Sequence, residues 1–91
     1  MKATKIKYIE AKQSWEDYYG NSHTPLIKIA YYKEGRKDTL KNEYHTAIYI
    51  RMAEKMDWRL AECKYGDHFE EYCEKANFYT DIDLTKRFLG L

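Results

Sequence analysis

Two cysteines and a histidine are spaced as Cys63-x4-His68-x4-Cys73. These residue types can hold a soft divalent metal or, with an activated thiol, do nucleophilic chemistry. A structural zinc site is closed and four-coordinate, and this spacing supplies three ligands. His23 or His45 could complete a set from elsewhere in the fold, but a ligand count without spacing carries little weight. A dyad of Cys63 or Cys73 with His45 or His68 is equally open, because nothing in the sequence requires their proximity and a low-pKa thiol is not read from spacing. The four glycines are isolated, leaving no phosphate-cradling loop. The sequence assembles no catalytic constellation. It is read as a non-enzyme, with no catalytic residue, metal or cofactor assigned.

Three short segments resemble known motifs. The Cys63, His68 and Cys73 spacing resembles the last three ligands of a zinc knuckle, which implies a further Cys three residues before Cys63, where Leu60 stands. Asp81-Ile-Asp83-Leu-Thr85 resembles the DxDxT pattern of haloacid-dehalogenase-type phosphotransferases, which implies one Asp as nucleophile and the other as acid/base. That chemistry needs a buried strand end and a large α/β domain after it. Only Lys86 to Leu91 follow here, so the motif is read as a helix cap with an exposed acidic turn. Met52 to Cys63 resembles a helix-turn-helix, with Ala53 before the turn, Met56 apolar and Asp57 at the turn. Gly66 stands where the recognition helix wants an apolar residue, and Arg59 and Lys64 are accompanied by Glu62.

The elements that would position such groups follow from periodicity. Asp38 to Cys63 is the longest run without Gly or Pro and is expected to be a long central helix, capped by Asp38, with Leu40, Tyr44, Ala47 and Ile48 at helical spacing. A strand competes for residues 44–52, because Thr46, Ile48, Ile50 and Met52 alternate with His45, Ala47, Tyr49 and Arg51. Trp58 to Tyr65 either continues the helix or forms a short strand. Lys5 to Ala11 reads as a strand, SWEDYY as a helical turn capped by Ser14, and Leu26 to Tyr32 as the strongest strand. A polar turn surrounds Gly35. Asp67 is placed to cap the helix HFEEYCEKANFY, with Phe69, Tyr72, Cys73 and Ala76 on one face. Asp83 is placed to cap a final short helix holding Leu84, Phe88 and Leu91. The expected architecture is a single α+β domain over residues 1–91. It has a small two- or three-stranded antiparallel sheet packed against a long central helix and one or two C-terminal helices.

Composition narrows the function. The chain has 91 residues, 44% hydrophobic and 34% charged, with net charge +1. That is one globular domain, too close to neutral for binding by bulk charge. Residues 1–37 carry eight Lys/Arg and four Asp/Glu, while residues 38–91 carry eight and eleven, so the halves differ in sign. MKATKIKYIE has no apolar signal segment and no run is long enough to span a bilayer, so the expected location is cytoplasmic, with reduced thiols. Ten tyrosines are the oddity. Most serve as core filler with a wet hydroxyl, and a few as interface anchors.

The expected function is therefore a small protein-binding module that blocks or adapts a larger partner. Its size and composition suit a phage or mobile-element inhibitor of a host defence system, an anti-CRISPR-like role. The partner-binding set is Trp15, Tyr18, Tyr19, Lys28, Tyr31, Tyr32, Arg36 and Lys37. The alternative is a nucleic-acid binder using the basic, aromatic N-terminal half or the helix-turn-helix resemblance around residues 50–65. In that half, aromatics interleaved with Lys can stack bases and meet phosphates.

Overall fold

The computed structural model describes residues 3–33 and 44–90. The expected Asp38 cap, Leu40, the turn around Gly35 and Leu91 lie outside them. The chain forms β1 (Lys5–Glu10), β2 (Trp15–Glu16), β3 (Ser22–His23), β4 (Leu26–Tyr32), β5 (His45–Arg51) and β6 (Arg59–Tyr65). Helix α1 (Phe69–Lys75) runs into a 3-10 turn (Ala76–Thr80), and α2 (Ile82–Leu89) closes the described chain. The main sheet is antiparallel, in the order β1-β4-β5-β6, and β2 and β3 form a separate two-stranded hairpin.

This overturns the expected architecture. The described residues contain no long central helix. The stretch assigned to it supplies β5 and β6, which pair with each other. Period two wins at residues 45–51 because β5 is an interior strand with one face in the core and the other, at His45, Tyr49 and Arg51, only half-buried. Thr46, Ile48 and Ile50 face the core with no exposure, and Ala47 is fully buried on the reverse side. Because Ala47 and Tyr49 on the reverse side are apolar too, residues 46–50 read as a nearly continuous apolar run, which helical spacing also satisfies. The helix-turn-helix resemblance falls with it, since its two proposed helices are the strands of a hairpin. In β6 the register shifts between Ile48 and Tyr49 of its partner, leaving Ala61 as an extra residue that packs against the core.

One face of the sheet is covered by α1, the 3-10 turn and α2. Ile27, Ile29, Ile48, Ile50 and Met52 meet Tyr72, Ala76 and Ile82 there. Phe69 and Cys73 pack at the margin of this core, so the helical face expected from Phe69, Tyr72, Cys73 and Ala76 is the inward one. Asp67 sits one residue before the helix N-cap position, and its carboxylate accepts the Phe69 N–H at 3.1 Å. At the second helix the cap is Asp81 rather than Asp83. Its carboxylate accepts the N–H groups of Asp83 and Leu84 at 3.0 and 3.4 Å. SWEDYY is not helical. Trp15 and Glu16 are strand and pair with His23 and Ser22 of β3, and the residues after them form the turn between the two strands.

A buried hydroxyl ties sheet to helix. Thr46 Oγ1 donates to the Gly66 carbonyl at 2.8 Å and accepts the His68 N–H at 2.8 Å, just where the chain leaves β6 for α1. Gly66 turns there with φ +93°, a conformation side chains disfavour. Thr46→Val keeps the shape but orphans both backbone groups. It is expected to cost about 1–3 kcal/mol in urea denaturation, and unchanged stability would contradict that role. No helix among the described residues is long and apolar enough to cross a membrane.

Candidate binding surfaces

Two surfaces stand out, and the partner-binding residues expected from sequence divide between them. The first is the tip of the β2–β3 hairpin. Asp17 organises it with both carboxylate oxygens. Oδ1 accepts the N–H groups of Tyr19 and Asn21 at 2.8 and 2.9 Å, and Oδ2 pairs with His23 Nε2 at 2.8 Å. The backbone adds Asp17 N–H to Asn21 O at 2.9 Å and Gly20 N–H to Asp17 O at 3.0 Å, with Gly20 at φ +81°. At the base, the Trp15 ring lies 4.9 Å from His23 and its Nε1–H donates to Met52 O at 2.9 Å, anchoring the hairpin to the core.

What this turn presents is Tyr18 and Tyr19, 96% and 84% exposed, their rings edge-to-face at 5.5 Å. The hydrogen bond with His23, the Asn21 and Tyr19 N–H groups and the Asn21 side chain hold the Asp17 carboxyl down, against partial desolvation, to about 2. A depressed carboxylate stabilises the fold above its ordinary value near 4, and this contribution is lost as pH falls from there. The Tyr19 and Asn21 amide resonances are therefore expected to titrate with a midpoint of about 2. A midpoint near 4 would mean the turn is not held by Asp17.

The second surface is the sheet face opposite the helices. No described element packs over it. Cross-strand partners set its rows. Tyr8, Lys28, Tyr49 and Leu60 form one row. Ile6, Ala30, Ala47 and Cys63 form the next, followed by Tyr32, His45 and Tyr65. At the other end, Glu10, Leu26 and Arg51 align. Trp58, just before β6, reaches back across the sheet until its ring lies 6.3 Å from Tyr8 on the far edge strand. Lys28 Nζ sits 4.8 Å from the Tyr49 ring and 4.6 Å from the Trp58 ring, and Arg51 Cζ 4.9 Å from Trp58. At the opposite end Tyr32 stacks on His45 at 4.9 Å and 23°. Burial, and then the neighbouring Tyr32, raise the Tyr49 hydroxyl pKa and keep it protonated.

Of the expected set, Tyr18 and Tyr19 share the tip, with Trp15 partly buried at its base. Lys28 and Tyr32 lie on the open face. Tyr31, one residue from Tyr32, is buried on the helix-covered side. Arg36 and Lys37 lie outside the described residues. Sequence reasoning missed Tyr49, Arg51, Trp58 and Tyr65 as surface residues. The alternation of His45, Ala47, Tyr49 and Arg51 was the available signal for two of them.

The chemistry-bearing motifs do not assemble. Cys63 is exposed on the open face while Cys73 packs beside the core on the other side of the sheet. Burial raises the Cys73 thiol pKa, with Lys7 opposing, so it stays a thiol. Both His68 ring nitrogens are engaged, Nε2 with Tyr65 O at 2.8 Å and Nδ1 with Glu71 at 3.0 Å. The described residues hold no group of three or more His, Cys, Asp or Glu side chains able to hold a metal ion. In Asp81-Ile-Asp83-Leu-Thr85 the Thr85 hydroxyl is buried and donates to Tyr79 O at 2.7 Å, completing the cap. Comparison with family models, with curated proteins and with solved structures gives no match.

Proposed function

We propose that this is a small non-enzymatic binding protein that covers a surface on a larger protein partner and so blocks or adapts it. The observation that carries this reading is the hairpin tip. Two large aromatic side chains stand almost wholly in water on a turn braced by five hydrogen bonds. A hairpin of two residue pairs gains little stability from displaying them. A braced turn does favour binding, because the backbone carrying the rings has little freedom left to lose on association and Tyr is a preferred interface anchor. Size and composition support placing the protein among inhibitors of host defence systems of the kind phages and mobile elements encode.

The test is affinity capture from host lysate, split into nuclease-treated and untreated halves, with the wild type beside a Tyr18→Ala/Tyr19→Ala variant. A single protein retained by the wild type in both halves, and lost from the variant, is the expected result. Capture that vanishes with nuclease, or that ignores the substitutions, would overturn the reading.

A further inference from the structure

We propose that the open sheet face binds single-stranded nucleic acid, its bases stacking on Tyr8, Trp58 and Tyr65 and its phosphates meeting Lys28 and Arg51. This site is separate from the hairpin tip and does not depend on the role proposed for it.

Three observations favour this occupant. The face displays aromatic rings rather than a packed aliphatic surface, and Tyr8 and Tyr65 are 54% and 62% exposed. Every base has a face that stacks on such rings, whatever the sequence. The cations sit among the rings, Lys28 between Tyr49 and Trp58 and Arg51 over Trp58, so a stacked base brings its own phosphate within their reach. Charge is segregated as the ligand requires. Glu10 is the only acidic residue in the paired rows of this face. Glu62, by contrast, turns to the helix side, where it accepts from Tyr79 Oη at 2.6 Å and pairs with Lys75 at 2.6 Å.

Duplex fits poorly, because its base faces are already stacked and this face carries no projecting helix or ribbon for a groove. With only two or three cations, affinity rests on stacking. The salt dependence is then shallow, with a log–log slope of about −2.

The test measures anisotropy of fluorescein-labelled oligo-dT and oligo-rU against a duplex of the same length, over a salt series. Both single strands are expected to bind and to quench tryptophan fluorescence, with Trp58→Phe removing most of the quench. Tyr8→Ala and Tyr65→Ala are each expected to weaken binding at least about 5-fold. Both side chains are mostly exposed, and thermal melts verify that the variants fold. Tyr18→Ala at the tip leaves oligonucleotide affinity unchanged. No binding of either single strand would overturn the proposal. So would equal binding of duplex with a steep salt slope, or affinity indifferent to both tyrosines. Tyr8- and Tyr65-dependent capture of a protein from nuclease-treated lysate, without oligonucleotide binding, would make the face a protein interface instead.

Discussion

Ile48→Ala is expected to lower the unfolding free energy by about 2–5 kcal/mol. Ile48 has no exposure, lies on an interior strand between Ile29 and Glu62, and belongs to the core cluster under Tyr72 and Ala76. Helices cover it on one side and sheet neighbours on the others, so the site cannot easily collapse around a smaller side chain. A domain of this size is held by about 5–14 kcal/mol, so one such cavity removes a large share. Ile6 gives the contrast. It lies on the open face and is 48% exposed, so Ile6→Ala is expected to stay within about 0.5–1 kcal/mol. Urea denaturation of the two variants checks both. Equal losses would mean that the two faces of the sheet are not distinguished as described.

The second large effect concerns the tip. Removing both rings in Tyr18→Ala/Tyr19→Ala is expected to cost about 2–4 kcal/mol of binding free energy, the range of an interface hot spot. Stability should hardly change, since neither ring packs against the core and the turn's hydrogen bonds use backbone groups, Asp17 and His23. That separation of binding from stability distinguishes an anchor from a structural residue. Asp17→Ala is the complementary variant. It leaves both rings but removes the brace, so a smaller affinity loss is expected, reflecting the entropy of a loosened loop.

The parts of this fold that were legible in the sequence are those where one period stands alone. Leu26 to Tyr32 alternates cleanly and is β4. Phe69, Tyr72, Cys73 and Ala76 recur at helical spacing and face the core. The stretch from Asp38 to Cys63 misled because Tyr44, Ala47, Ile48 and Met52 satisfy helical spacing, while Ala47 and Tyr49 on the outer face of β5 blur its alternation. β6 gave a weak signal for two reasons: it is an edge strand of mixed composition, and the extra residue Ala61 breaks its alternation. SWEDYY imitated a capped helix through Ser14 and its acidic residues, yet Asp17 folds onto a turn instead, while the Ser14 hydroxyl pairs with that of Thr24 at 2.7 Å. The surfaces were less legible still. Tyr31 and Tyr32 are neighbours with opposite fates, decided only by the phase of β4. Trp58 reaches Tyr8 across the whole sheet, a contact that no local pattern encodes.

The most direct test of the account is the dissociation constant of the captured protein for wild type and for Tyr18→Ala/Tyr19→Ala, measured on samples with matched thermal melts. A loss of roughly 30-fold or more, with the melting curve unchanged, is what an aromatic anchor on a braced turn predicts. An affinity equal to wild type would show that the partner does not hold the tip, and would contradict the function assigned to it.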